Sequence, residues 1–258
     1  MDDVLDMTAR AVLVTGGAGG VGRGITEAFL ERGAQVMICG RKDPAVMPSA
    51  GGREAVFVAT DVRDADAVAS LIDASTERFG HLDVVVNNAG GGPPAFLSGT
   101  SPRFHASIIT LNLIAPLFVA QRANDVMQAQ DAGGCIINIA STNGLHPSPG
   151  VAAYGAAKAG LINLTESLAA EFAPKVRVNT VTAGIIGTEE IFDVHYANDP
   201  ERLARLLSQV PTGRFSTPAD VAGACLYLAS PLAAQVTGAN LLVHGGGAPP
   251  DALPERPS

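Results

Sequence analysis

Tyr154 and Lys158 stand four residues apart, and Ser141 precedes Tyr154 by thirteen. At positions i and i+4 of a helix two side chains share one face, so the Lys158 ammonium would lie near the Tyr154 phenol. A phenol with an ordinary pKa of about 10 is a weak acid-base catalyst at neutral pH. A neighbouring cation and a helix N-terminus both favour the phenolate and would lower it. Ser141 closes the apolar run Cys135-Ile136-Ile137-Asn138-Ile139-Ala140, where a strand tip would offer its hydroxyl to the same substrate oxygen. Together the three residues read as a device for moving a proton at a carbon–oxygen centre. A Tyr and a Lys at this spacing also arise by chance, so the elements around them have to decide.

Those elements read as strand-helix units. Short β-branched runs (Ala11–Thr15, Gln35–Cys39, Ala55–Ala59, Val84–Asn87, Cys135–Ala140, Val176–Val181, Asn240–Val243) alternate with longer amphipathic segments, the pattern of a parallel sheet covered by helices. The predicted helices are Val21–Arg32, Ala65–Phe79, Ser101–Gln128, Val151–Phe172 and Pro218–Ala229, with a helical piece in Pro200–Gln209. Pro116 falls inside the third and would bend it by removing a backbone donor. Three glycine-bearing loops follow the first, fourth and sixth strands, on the side where open parallel sheets bind ligands.

The first of these loops, Thr15-Gly16-Gly17-Ala18-Gly19-Gly20-Val21-Gly22, can be read as G-x-G-x-x-G or as T-G-x-x-x-G-x-G. Either register lets a backbone turn bring a pyrophosphate to a helix N-terminus, and the strand before and helix after it supply the required context. The second strand ends Ile38-Cys39-Gly40-Arg41-Lys42. An acid at that tip would select the ribose 2′-hydroxyl of NAD(H), whereas an arginine accommodates a 2′-phosphate. With no acid at the tip and Arg41 just beyond it, NADP(H) is the expected cofactor, and NAD(H) stays possible. Asp43 is the nearest acid, but Pro44 after it marks a turn.

Composition narrows the function class. The chain has 258 residues, 47% hydrophobic, with a formal net charge of −8, which suits one α/β domain and not a nucleic-acid partner. The N-terminal residues are acidic and do not read as a secretory signal. The longest uncharged stretch, Ala132 to Ala157, is broken by Gly, Pro, Ser and Asn and does not read as a membrane span. Cys39, Cys135 and Cys225 are far apart and suggest reduced thiols in a cytoplasmic protein. His81, His105, His146 and His195 form no ligand-spaced cluster, so no metal is expected.

With the glycine turn, the Asn88-Ala89-Gly90 loop and the Ser141…Tyr154-x-x-x-Lys158 set in one order, the sequence resembles the short-chain dehydrogenase/reductase family from Ala11 to Gly247. The resemblance implies a doubly wound α/β fold: a mainly parallel, seven-stranded Rossmann sheet with helices on both faces. One domain, 1–258, would include a substrate lid at 185–214 and a flexible tail at 248–258. The second glycine register would apply, with Gly16, Gly20, Val21 and Gly22 at the cofactor, Asp61 and Val62 at the adenine, and Asn88, Ala89 and Gly90 lining it by backbone. Asn112 would join Tyr154 and Lys158 in holding a proton-relay water. Tyr154 and Lys158 also count as cofactor contacts, Lys158 at the nicotinamide ribose, as do Gly184, Ile186 and Thr188. Asn179 reads as structural. A homotetramer, or a homodimer, built through the long middle helices and the last strand is expected.

Two departures from the family pattern stand out. Ala183-Gly184 replaces the common Pro-Gly, which would loosen the loop at the nicotinamide, and His244-Gly245-Gly246 replaces Asp-Gly-Gly, making His244 a packing or interface residue. The implied reaction is reversible hydride transfer between nicotinamide and a carbonyl carbon. Ile186, Ile191, Phe192, Tyr196, Leu203, Leu206 and Leu207 around the lid suggest an apolar ketone or secondary alcohol. A 3-oxoacyl thioester reductase is the alternative, although an acidic carrier protein would require a basic docking patch, and Lys175 and Arg177 are sparse. The enoyl-reductase branch usually spaces its Tyr and Lys more widely. A non-catalytic nucleotide-binding sensor would share the fold.

Overall fold

The computed structural model describes residues 3–187 and 200–247. Thr188, Ile191, Phe192, His195, Tyr196 and the tail 248–258 lie outside the described residues. The β-branched runs become strands: β1 (Ala11–Thr15), β2 (Gln35–Gly40), the short pair β3 (Ser49–Ala50) and β4 (Arg53–Glu54), β5 (Val56–Ala59), β6 (Val84–Asn87), β7 (Gly134–Ser141), β8 (Val176–Ala183) and β9 (Asn240–Val243). Seven of them form one sheet in the order β5-β2-β1-β6-β7-β8-β9, every pairing parallel. The order turns back at β1, which lies between β2 and β6, so the cleft for a ligand opens outside the carboxyl ends of these strands.

Helices cover both faces because alternate strand residues point to opposite sides. Val12 and Val14 pack under α1 (Gly20–Glu31), while Leu13 between them faces α2 (Ala65–Phe79). Two further pieces follow, α3 (Pro102–Ile109) and α4 (Ala115–Ala129), then α5 (Ala152–Phe172), α6 (Pro200–Ser208) and α7 (Pro218–Ala229). Local chemistry sets their ends. The Asp64 side chain accepts from the N–H groups of Asp66 and Ala67 at the start of α2, Gly80 in the left-handed region closes it, and Thr217 with Asp220 makes a capping box for α7.

Three details differ from the expectation. The stretch between β2 and β5 forms a hairpin on α1, turning at Gly51-Gly52, both with positive φ (57° and 71°) as a two-residue hairpin turn favours. The single middle helix is interrupted by a π-turn at Thr110–Ile114, upstream of Pro116, which sits in the first turn of α4. Pro116 has no N–H to give the carbonyl of Asn112 four residues earlier, so a regular α-turn cannot form there. Thirdly, β8 runs to Ala183, two residues further than predicted. Ala183 pairs with both Ser141 and Val243; alanine keeps the N–H that proline lacks, so the strand does not loosen at this point.

The run Pro102–Ala129 is long and apolar enough to cross a membrane by length and composition. In the fold it is a packing helix: Ala115, Val119, Ala120, Ala123 and Met127 are buried in the core on the α2 face.

Candidate active site

β7 ends at Ser141, and the first turn of α5 carries Tyr154 opposite it. Lys158 lies one turn on, 4% exposed, its ammonium donating to the Ile139 carbonyl at 2.7 Å and standing 5.7 Å from the centre of the Tyr154 ring. The Ser141 hydroxyl accepts from Asn143 N–H at 3.2 Å and hydrogen-bonds the phenol. The loop between β7 and α5 is pressed against the helix: a Cβ on Gly144 would lie 2.8 Å from the backbone of Lys158 and Ala159, and one on Gly155 would lie 2.8 Å from the Asn143 carbonyl. Ser148 ties that loop, donating to Asn143 O at 3.0 Å.

The electrostatics differ from the expectation of an acidified phenol. Burial pushes the Tyr154 phenol above its ordinary value, outweighing the hydrogen bond with Ser141, which works the other way. Burial also holds the Lys158 ammonium down, at about 8 against its ordinary 10.5. With both charged forms desolvated, the protein alone favours neutral phenol and a readily deprotonated amine.

Asn112, fully buried in the π-turn, meets the loop after β6 edge-on. Its Oδ1 accepts from Gly91 N–H at 2.8 Å, and its Nδ2 donates to the carbonyls of Gly91 and Ile108, both at 2.9 Å. The Asn112 side chain therefore pins the Gly90-Gly91 backbone to the π-turn. A Cβ on Gly90 would stand 2.7 Å from Asn112 Oδ1 and 3.3 Å from Lys158 Nζ, so this loop packs directly against both side chains.

The glycine turn fits a dinucleotide. Gly16 and Gly20 adopt positive φ (65° and 50°), and a Cβ on Gly22 would lie 2.2 Å from Gly16 O. Gly19 and Gly20 face open space, and α1 begins without a side-chain cap, leaving its first N–H groups for an anion. Thr15, absent from the sequence-based site, couples this turn to the next: its Oγ1 accepts from the N–H groups of Asn88 and Ala89, each at 3.0 Å, while Asn88 Nδ2 donates to Thr15 O and Gly16 O. Its position in front of the first glycine was the available signal.

The other predicted residues fall around this cradle with different freedoms. Val62 and Ile186 are buried in the two cores, so only their backbone can meet a ligand, and Val21 packs partly on the core. Gly184 follows β8, and its Cβ would lie 2.8 Å from that of His244, so the two sequence departures are neighbours. His244 Nδ1 is buried without a partner. Asp61 is held by Arg63, a pairing not anticipated although an acid and an arginine two residues apart invite it. Asn179 is structural, donating to Val236 O and accepting from Ala239 N–H. Among the described residues no group of His, Cys, Asp and Glu is arranged to hold a metal ion. Arg41 is exposed at the tip of β2.

The chain is similar to known reductases and dehydrogenases. A family model described as enoyl-(acyl carrier protein) reductase matches residues 16–247. Galactitol 2-dehydrogenase of Agrobacterium fabrum is 33% identical over 247 residues, covering 92% of this chain and 96% of that protein. A 3-oxoacyl-[acyl-carrier-protein] reductase of Vibrio cholerae is 34% identical over 245 residues, covering 94% and 98%. The crystal structure of a candidate short-chain alcohol dehydrogenase from Sinorhizobium meliloti 1021 superposes with a TM-score of 0.86 at 32% identity, covering 95% of this chain and 98% of that one.

Proposed function

The chain belongs to the short-chain dehydrogenase/reductase family and is an NAD(P)-dependent oxidoreductase; from that premise we propose that it interconverts a ketone and a secondary alcohol, with NADP(H) favoured. The observation that carries this reading is the convergence of Ser141, Tyr154 and buried Lys158 at the carboxyl end of β7. Bound nicotinamide would supply or accept the hydride at C4. Ser141 orients the substrate oxygen, Tyr154 gives it a proton or takes one from it, and Lys158 links the phenol to the cofactor ribose. General acid-base assistance of this kind is worth ~10²–10⁴-fold. Gly16, Gly20 and Gly22 shape the pyrophosphate turn, Asn88, Ala89 and Gly90 wall the nicotinamide side, and Thr188 belongs to the same set.

Preference for NADP(H) rests on Gly40 where an acid would select NAD(H), followed by Arg41 and Lys42, both exposed. The segment 185–214 is read as the substrate lid. Of its aliphatic residues, Leu206 and Val210 are buried and Leu207 is exposed, so part of the lid packs on the body and the apolar-substrate reading rests on fewer side chains than the sequence suggested. Oxidation of NADPH and NADH measured against steroid, sugar, short-chain and thioester ketones tests cofactor and substrate together. Cofactor binding with no turnover across the panel would instead favour a sensor.

A second reading, reduction of 3-oxoacyl thioesters, is favoured by likeness to the Vibrio cholerae enzyme. The cations that would dock an acidic carrier are committed elsewhere. Lys175 donates to Gln128 O and Gln130 O, and Arg177 to Val236 O and Leu228 O. A free ketone or a coenzyme A ester fits better than a carrier-bound acyl chain. Assembly as a homotetramer in the cytoplasm completes the proposal. It is supported by the apolar run Pro102–Ala129, only 33% buried over its most apolar window, and by Ala152, Ala156 and Ala159, which line a groove on the α5 face turned away from Tyr154.

A further inference from the structure

The tips of β2 and β5 lie side by side, since Gly40 pairs with Ala59 and Thr60 N–H donates to Gly40 O at 2.8 Å. Arg41 and Lys42 therefore leave the sheet next to Asp61. That carboxylate is already claimed. Arg63 folds back over it in a tight local turn, its own N–H reaching Asp61 Oδ1 at 3.1 Å while Nε bonds Oδ1 at 2.9 Å and Nη2 bonds Oδ2. With Arg63 in contact and Arg41 across the strand tips, the carboxyl is held down at about 2. The other acids close in sequence are Asp64, whose side chain caps α2, and Asp43, exposed beyond Lys42. In a chain of net charge −8, this corner gathers three cations.

We infer that Arg63 is a specificity-determining residue for the cofactor, forming with Arg41 a two-guanidinium site for the phosphate on the adenosine ribose. The inference rests on the NADP(H) reading above. Two physical effects support it. An unpaired Asp61 would set a negative charge beside the incoming phosphate, and Arg63 neutralises it. The fork on Asp61 also fixes the guanidinium plane, and Nη1 makes no hydrogen bond with the described residues, so it stands ready as a donor. The side chain is 37% exposed, enough for a ligand to reach it. Arg41 makes no hydrogen bond or ion pair with the described residues, whereas the Arg63 guanidinium is already held by Asp61, which lessens the entropy lost on binding.

Adenosine 2′,5′-bisphosphate and adenosine 5′-monophosphate serve as probes, because they differ only in the 2′-phosphate. Their affinities for the whole protein are measured by calorimetry in wild type, Arg41→Ala, Arg63→Ala and Arg63→Lys. Wild type is expected to prefer the bisphosphate, and Arg63→Ala to lower that preference about tenfold, the loss of one charge-assisted contact. Arg63→Lys should recover part of it, and the NADPH-over-NADH ratio of kcat/KM should fall in parallel. A wild type without preference overturns the NADP(H) reading and this inference with it. A wild-type preference that is lost in Arg41→Ala but kept in Arg63→Ala overturns the role of Arg63 alone. Equal weakening of both probes in Arg63→Ala would make the residue a turn-former and likewise overturn it.

Discussion

At the scale of single residues, the decisive property of the site is that its cation and its phenol are both short of water. Lys158 titrates at about 8 against an ordinary 10.5, so its charged form is disfavoured by folding. Below pH 8 the folded protein bears that cost in full, and the cost fades as the pH rises to 10.5, so this group makes stability increase with pH across that window. At 1.36 kcal/mol per pH unit the whole effect is on the order of 3 kcal/mol. Chemical denaturation of wild type and Lys158→Met between pH 7.5 and 10.5 should show their difference moving toward wild type by up to that amount. A difference that stays flat would contradict the buried ammonium. The nearness of Lys158 to Tyr154 was legible in the sequence because positions i and i+4 share a helix face, and the place of Ser141 because it closes an apolar run that reads as a strand. The direction of the phenol shift was not, because it depends on how deeply the fold buries the ring.

The elements explain why these side chains meet. Strand positions and glycine turns were legible from β-branched runs and from punctuation by glycine, whereas the caps at Asp64 and Thr217 emerged only in the structure. The π-turn at Thr110–Ile114 was only half legible: Pro116 signals trouble with the α-helical ladder, but where the ladder adjusts is decided by Asn112 reaching across to Gly91. The hairpin at Ser49–Glu54 went unread, since its strands are two residues each and only the Gly51-Gly52 turn marks it. Glycine 90 is the sharpest test at this scale. In Gly90→Ala the new methyl meets Asn112 Oδ1 at 2.7 Å and Lys158 Nζ at 3.3 Å, so the loop must move away from the trio. Overpacking of this kind costs about 1–3 kcal/mol, and we expect a lower melting temperature together with a fall in kcat of at least about tenfold. Wild-type kcat in that variant would show that the loop does not position the catalytic groups.

For the whole molecule, the parallel sheet gathers at one rim every loop that the sequence marked with unusual residues: the glycine turn after β1, the β2 tip, the loop after β6, Ser141 and the segment after β8. That gathering is a property of topology, and strand order could be foreseen only through the family resemblance. Substrate identity was the least legible, because Leu206 and Val210 of the expected lid segment pack inward and because polar and apolar walls look alike in composition. The apolar face of Pro102–Ala129 and the small residues on the outer face of α5 predict that light scattering at micromolar concentration will give the mass of four chains; a monomer would leave those surfaces without a role. The central claim, proton transfer through Tyr154 beside a bound nicotinamide, is tested most directly by one comparison. NADPH-dependent ketone reduction and NADPH affinity are measured side by side in wild type and Tyr154→Phe. The predicted result is a loss of turnover of ~10²–10⁴-fold with cofactor affinity nearly unchanged. Substantial turnover in the phenylalanine variant would contradict the account.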